Sequence, residues 1–464
     1  MKTLFEYGKV WQPIEDEIGL KKILRDIWSN RKTNFVSEDI EDDLSEDEKD
    51  IRYQPFLKFD SSEIKANNYV GFIQHGEEII EIYPKVFRDH IDTPDENQKR
   101  LMLRHIFYWF DYCRKWKFPF NQASLDTRNV YSFPELIIKL IAGQFLDGVS
   151  NQPLTMYNPI EEALTTPRGT INFKRYISNS LSYGNYQNVE CDYEQFMFDN
   201  KVNRAIKYCT RILLSQTKIQ ENVRILQEVL FILDEVEDIP CTSHDLESIV
   251  LNPFFENYIK IIDSCKLIIS QELYSNNSFE LSQWCLLFPM EYIFEDFVAG
   301  FLKDNFSDKW LVEYQKSEMD LATYDPDNCD AGVFKMKHDI FLTSNDETKK
   351  VIIDTKYKIR SKEFKEDFKK GVDQNDLYQM VSYAYRRGCT EIFLIYPNIS
   401  EEIIEPDYFY IQSGFNNQDK IKVTAFEIPF WSLENFSPEI LDKRLVEIID
   451  ERLNAVNQNN KPKR

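Results

Sequence analysis

Asp339, Asp354 and Lys356 are the residues of this chain whose types and spacing could do chemistry. Two apolar runs, Val333–Leu342 and Val351–Ile359, flank the polar stretch SNDETK, whose residues favour turns, so the segment predicts a β-hairpin. The midpoint between Asp339 and Asp354 falls between Asp346 and Glu347, inside that turn. In simple register the two aspartates then face each other on neighbouring strands, about 5 Å apart. Opposed like charges are unfavourable there unless something cationic lies between them. Lys356, two residues after Asp354, projects from the same strand face. Two carboxylates and one ammonium suit a divalent metal and an activated water. Carboxylates are the hard oxygen ligands that Mg²⁺ (or Mn²⁺) takes, and phosphodiester hydrolysis needs a metal to polarise phosphate and water. Asp339 and Asp354 would hold it, with the main-chain carbonyl of Thr355 as a further ligand. Lys356 would orient the attacking water or offset the charge of the transition state.

The elements around the hairpin must position these groups. A helix expected over Asp373–Arg387 puts Gln379 and Tyr383 four residues apart on one face, where both reach the same substrate strand. Another, Phe288–Phe306, carries Glu295, which could add an acid near the metal. Strands are expected at Lys309–Glu313, Glu391–Tyr396, Asp407–Ser413 and Ile421–Pro429, with an amphipathic helix over Ser437–Val456. This C-terminal part, 286–464, therefore reads as an α/β domain with a mixed sheet. Upstream, residues 1–99 alternate short apolar runs with polar turns and predict a β-rich domain. Residues 100–285 are mainly helical, with segments at Arg100–Trp116, Ser132–Val149, Lys201–Gln216, Ile219–Val236 and Asp245–Leu273. Ser132 is placed to cap its helix, with Pro134 and Glu135 in the first turn. Ser150–Asn200 reads as irregular. The whole is α+β and multidomain.

Composition bounds the reading. The chain has 464 residues, two or three domains' worth. Charges such as Lys139 and Lys266 interrupt every apolar run short of the roughly 20 residues a membrane span needs. The opening MKTLFEYGKVW lacks the apolar stretch of a secretory signal. Eight cysteines without a CxxC pair indicate neither a zinc site nor a disulfide framework, and a reducing, cytoplasmic setting is expected. The net charge of −22 opposes independent binding to nucleic acid, since affinity for phosphate comes from Lys and Arg. Part of the excess is the run Ser37–Asp50, with nine acids and one lysine, which reads as a solvated loop. No GxxxxGK[ST] phosphate loop is present, so the chain is not expected to be a nucleotide-driven motor.

An Asp-x-Lys triplet alone is common, but the matched aspartate and the QxxxY helix carry a resemblance. Asp339, Asp354-Thr355-Lys356 and Gln379-Met-Val-Ser-Tyr383 resemble the motifs of the PD-(D/E)xK nucleases, in the branch with a QxxxY helix. His338 stands where the motif's name has proline, a position that ligates nothing. More narrowly, DTKYK, DLYQMVSYA and FPMEYIFEDFVA, with Glu295 at the acid of the family pattern, are similar to the McrC-type nuclease subunits of McrBC modification-dependent restriction systems. IEIYPKVF, PRGTINF and DNKVNRAIKY extend the likeness upstream. The resemblance implies a restriction-endonuclease-like C-terminal domain and a metal-dependent DNA endonuclease in anti-phage defence. It also implies a partner, a McrB-like AAA+ GTPase hexamer that brings modified double-stranded DNA, with residues 1–99 in partner docking. An acidic nuclease delivered to DNA by a separate ring resolves the charge conflict. Two alternatives stay open at this point: a stand-alone PD-(D/E)xK nuclease of repair or recombination, and a non-catalytic activator of an AAA+ ring.

Overall fold

The computed structural model describes all residues except 1, 11–13, 15, 30–53, 61–62, 115–131, 248, 250, 252, 273–282, 315–318, 324–331, 337, 361–367, 399–403, 413–419, 434–435 and 457–464. The acidic run 37–50 thus lies outside the described residues. Among those described, no helix is long and apolar enough to cross a membrane.

The N-terminal part builds two small sheets. Strands β1 (Lys2–Phe5), β2 (Lys9–Val10), β3 (Leu57–Asp60), β4 (Glu63–Ala66), β5 (Tyr69–His75) and β6 (Glu78–Tyr83) form it, with helix α1 (Glu17–Ser29). The helix was not expected, yet its buried Leu20, Leu24 and Trp28 recur every four residues, which is a helical period. One sheet runs β2-β4-β3, the other β1-β6-β5-β10, where β10 is Gln283–Pro289. A strand more than 200 residues further along the chain thus completes the N-terminal sheet. It can do so because Gly71, with φ +140°, lets β10 come close: a Cβ there would stand 1.9 Å from the Leu286 carbonyl oxygen.

The middle holds helices α2 (Glu96–Tyr112), α3 (Phe133–Asn151), α4 (Lys201–Gln216), α5 (Gln220–Ile232) and α6 (Asn257–Glu272). Asp95 and Gln98 form a capping box on α2, and the Ser132 hydroxyl caps α3 as its sequence predicts. The single helix expected over Asp245–Leu273 is instead a short turn, Ser243–Glu247, then a 3₁₀ turn at Pro253–Phe255 and α6. Proline at 253 cannot continue the helical ladder. The region 150–200, read as irregular, contains an antiparallel arm of β7 (Met156–Leu164), β8 (Thr170–Ile171) and β9 (Val189–Met197) in the order β7-β9-β8. Its strands hid because β7 carries Pro159, Glu161 and Glu162, residues depleted in strands.

The C-terminal part comprises α7 (Met290–Phe306), β11 (Trp310–Tyr314), β12 (Asp320–Thr323), β13 (Gly332–Lys335), β14 (Ile340–Ser344), β15 (Lys350–Thr355), α8 (Gln374–Arg387), β16 (Glu391–Pro397), β17 (Asp407–Gln412), β18 (Lys420–Ile428) and α9 (Pro438–Ala455). Six strands make a mixed sheet in the order β11-β14-β15-β16-β18-β17. Alternate residues sort to its two faces. Ile340, Leu342, Val351 and Ile353 join the core containing Phe294 and Phe297 of α7 and Leu445 of α9. Phe341, Ile352, Leu394 and Val423 pack with Met380, Tyr383 and Ala384 of α8.

The first of these cores continues unbroken through α2, α3 and the N-terminal sheet, so residues 1–99, 100–285 and 286–464 share it. Helices α2 and α7 cross at Gly300, where a Cβ would lie 1.8 Å from the Tyr112 carbonyl oxygen. Nearby, the Trp109 ring stacks on Phe430 at 4.0 Å between centres, and its indole N–H donates to the Phe430 carbonyl at 2.9 Å.

Candidate active site

The hairpin forms in the register its sequence predicts. Ile340 pairs with Ile353, Phe341 with Ile352 and Leu342 with Val351, so Asp339 and Asp354 come next at its open end. The expected single strand Val333–Leu342 is broken, however. Phe334 adopts φ +60°, and β13 pairs with β12 in a separate ribbon before the chain re-enters the sheet at Ile340. His338 lies in this break, just before β14, so strand alternation does not place it. His338 is buried with its ring 5.6 Å from Phe341, and burial together with the Arg387 charge lowers its pKa to about 4, so it is a neutral core histidine.

Asp339 is tied to the neighbouring strand. Its Oδ2 accepts the backbone N–H of Thr355 at 2.7 Å and the Thr355 hydroxyl at 2.8 Å. Asp354, on the innermost strand pair, is only 3% exposed. The Lys356 ammonium stands 3.0 Å from Asp354 Oδ2, an ion-pair distance at which Oδ2 still makes no aligned hydrogen bond. Burial, then the charge of Asp339, pushes the Asp354 carboxyl up to about 8, against the pull of Lys356. Burial works the other way on Lys356, but the carboxylates of Asp354, Asp339 and Asp376 outweigh it and raise its pKa. The ammonium therefore stays charged.

Asp376 is the residue that sequence reasoning missed. It lies 3.7 Å from Lys356 and 3.0 Å from Lys358, in the first turn of α8. Its spacing held the signal: three residues before Gln379 and seven before Tyr383, it shares their helix face. Asp373 caps that helix through the Asn375 N–H, fixing how it meets the sheet. Gln379 is exposed and donates through Nε2 to the Tyr383 hydroxyl at 3.1 Å, while the Tyr383 ring is buried against the sheet. Glu295 is half-buried on α7. One turn earlier on the same helix face, Glu291 exerts its charge on Glu6, Lys85 and Tyr357, beside the end of β15.

The donor set fits a hard divalent cation. Three carboxylates converge where Lys356 and Lys358 supply two ammonium groups, and the unaligned, buried Asp354 Oδ2 has a lone pair to offer. Among the described residues no three of His, Cys, Asp and Glu form a ready metal cage. Mg²⁺ does not require one, since it binds through one or two carboxylates plus water and substrate phosphate.

A family model described as McrBC 5-methylcytosine restriction system component matches residues 64–397, well over half of the chain. The chain belongs to the McrBC family. Among curated proteins none matches. The fold of this McrBC-family chain is shared with a solved structure, the refined half-complex from the tetradecameric assembly of Thermococcus gammatolerans McrB AAA+ hexamers with bound McrC. The match has a TM-score of 0.68 at 18% identity and covers 96% of this chain and 99% of that one. A cryo-EM structure of the Thermococcus gammatolerans McrBC complex matches more loosely, at a TM-score of 0.47 and 21% identity over 66% of this chain and 87% of that one.

Proposed function

We propose that this McrBC-family chain is the McrC-like DNA endonuclease subunit of a restriction system, with a PD-(D/E)xK nuclease domain over residues 286–464. The observation that carries the reading is the convergence of Asp339, Asp354 and Lys356 at the open end of a buried hairpin, with the acid of α8 closing on the same lysine. Asp339, Asp354 and the Thr355 carbonyl would hold Mg²⁺ or Mn²⁺, which supplies Lewis acidity toward phosphate and water. Lys356, charged and held between two carboxylates, orients the attacking water and offsets charge on the scissile phosphate. Gln379, exposed beside Tyr383, binds the DNA strand, and the Tyr383 hydroxyl fixes its amide. Glu295 is kept as a further acid of the site on the family pattern.

The partner in this reading is a McrB-like AAA+ GTPase hexamer that recognises and moves modified duplex DNA. Residues 1–99 and the helical middle dock on it. The arm β7–β9 suits the same task, because it leaves Tyr157, Phe173, Tyr183, Tyr186 and Phe196 exposed on an element with no core of its own. The decisive test mixes the purified chain, its neighbouring AAA+ protein, GTP, Mg²⁺ and methylated plasmid. Cleavage is expected only with all components. Cutting by the chain and Mg²⁺ alone would favour a stand-alone nuclease.

The charge of −22 sets a second expectation. Without its partner the chain should bind duplex DNA weakly at physiological salt, with dissociation constants of about 10⁻⁵ M or higher. Fluorescence anisotropy with a labelled duplex measures this. A nanomolar affinity of the isolated chain would contradict the delivery model.

A further inference from the structure

Tyr357 follows the Asp354-Thr355-Lys356 triplet and is gripped by residues that lie hundreds of positions upstream. The Lys85 ammonium donates to the Tyr357 carbonyl at 2.6 Å and sits 4.0 Å from the centre of its ring. The Tyr357 hydroxyl donates to Glu6 Oε2 at 2.9 Å, and the same oxygen accepts the backbone N–H of Lys85 at 2.9 Å. All three are buried, with Glu6 at 0%, Tyr357 at 3% and Lys85 at 7% exposure, so water does not compete for these bonds.

The topology explains how the two grips coincide. Strands β1 and β6 pair in parallel with Phe5 beside Tyr83, so Glu6 and Lys85 leave the sheet together, Lys85 opening a 3₁₀ turn after Pro84. On the other side, the Lys356 N–H donates to the Ile395 carbonyl at 2.8 Å, continuing the pairing with β16. The Lys358 N–H donates to the Lys356 carbonyl at 2.7 Å, and the Lys356 and Lys358 ammonium groups both reach Asp376. The short segment 356–358 therefore lies between the ends of the central strands and the N-terminal domain. Its odd member faces one, and its even members face the active-site acids.

We infer that Lys85, seated by Glu6, is a positioning residue for the nuclease site: by holding the Tyr357 peptide it fixes where Lys356 stands, and it couples the N-terminal domain to cutting. The inference rests on the nuclease reading above. A side chain that merely glued two domains would change stability. One that positions Lys356 changes the rate of cutting at saturating DNA, while DNA affinity and the partner's nucleotide hydrolysis hold.

The experiment compares wild type, Lys85→Met, Lys85→Arg, Tyr357→Phe and Asp354→Ala in the full complex with Mg²⁺. It reads single-turnover cleavage, the half-saturating DNA concentration and partner GTP hydrolysis, with amide hydrogen exchange over 354–358 in the chain alone. Lys85→Met is expected to cut about 100-fold more slowly, the scale of a small misplacement of a catalytic group. Its half-saturation and partner hydrolysis should not change, exchange at 356–358 should rise, and Lys85→Arg should recover much of the rate. Lys85→Met that cuts at the wild-type rate, with exchange unchanged, overturns the inference. If Lys85→Met does not fold, Tyr357→Phe decides: faster exchange at 356–358 with slower cutting supports the clamp, and neither change overturns it. Equal cutting by wild type and Asp354→Ala would instead sink the nuclease reading, and amide exchange alone would then judge the clamp.

Discussion

Asp354→Ala is expected to lower DNA cleavage by about 10³-fold or more while the partner's GTP hydrolysis is still stimulated near the wild-type level. The carboxylate is the group on which the site converges: Lys356 stands at 3.0 Å, Asp339 faces it across the hairpin, and it is almost wholly buried. Its loss removes one of the two carboxylates proposed to hold the metal and releases the lysine from its partner. The charges that act on it, those of Asp339, Lys356 and Asp376, all belong to the C-terminal part, so docking and motor stimulation should survive. Asp354→Asn sharpens the test, because it keeps the shape and removes only the charge. Burial and the Asp339 charge both oppose ionised Asp354, so the asparagine variant should be as inactive as the alanine one and at least as resistant to thermal unfolding without metal. Gel assays of plasmid cleavage, colorimetric phosphate release and calorimetry in a chelator read the three quantities. An Asp354→Asn protein that cuts near the wild-type rate would remove the hairpin from the chemistry.

How much of this was legible depends on how local each cause is. The hairpin register could be read because the turn residues lie midway between two apolar runs, and the pairing Ile340 with Ile353 follows from that symmetry alone. Helix α8 and the face that carries Gln379 and Tyr383 were legible through their helical spacing, and the structure adds the Asp373 cap and the Gly388 stop at φ +60°. Asp376 was on that face too, but one acid in a first helical turn looks like ordinary capping until the lysines beside it are seen. Glu6 and Lys85 had no local signature at all. Their meeting with Tyr357 is set by the parallel pairing of β1 with β6 and by a core that unites the three parts of the chain. The same holds for β10, whose place beside β5 is dictated by a glycine more than 200 positions away, at 71. The arm escaped for the opposite reason: it is local, but Cys191 is its one fully buried apolar side chain and Pro159, Glu161 and Glu162 interrupt β7, so its sequence keeps little alternation to read.

The largest stability effect is expected at Glu81, whose carboxylate is fully buried on β6 between β1 and β5. It forms an ion pair with Lys99 of α2 at 2.9 Å, accepts the Tyr83 hydroxyl at 3.3 Å and takes the backbone N–H of Phe133, in the first turn of α3, at 2.8 Å. One side chain thus satisfies a buried ammonium and a helix N–H that has no partner within its own helix. Glu81→Ala strands both and should destabilise the chain by about 3–5 kcal/mol, read as a lowered urea midpoint. Lys99→Met alone leaves the carboxylate unpaired and should cost a similar amount. Glu81→Leu combined with Lys99→Met exchanges the ion pair for apolar contact, which is often close to neutral, but the Phe133 N–H stays unsatisfied, so recovery should be partial. If Glu81→Ala unfolds within about 1 kcal/mol of wild type, the pair behaves like a solvated surface bridge and the buried account fails. The consequence reaches the proposed active site, since β6 ends at Tyr83 and hands the chain to Lys85 two residues later. A strand that loosens at Glu81 also loosens the grip on Tyr357, so cleavage should decline at denaturant concentrations below the global midpoint in Glu81→Ala and not in wild type.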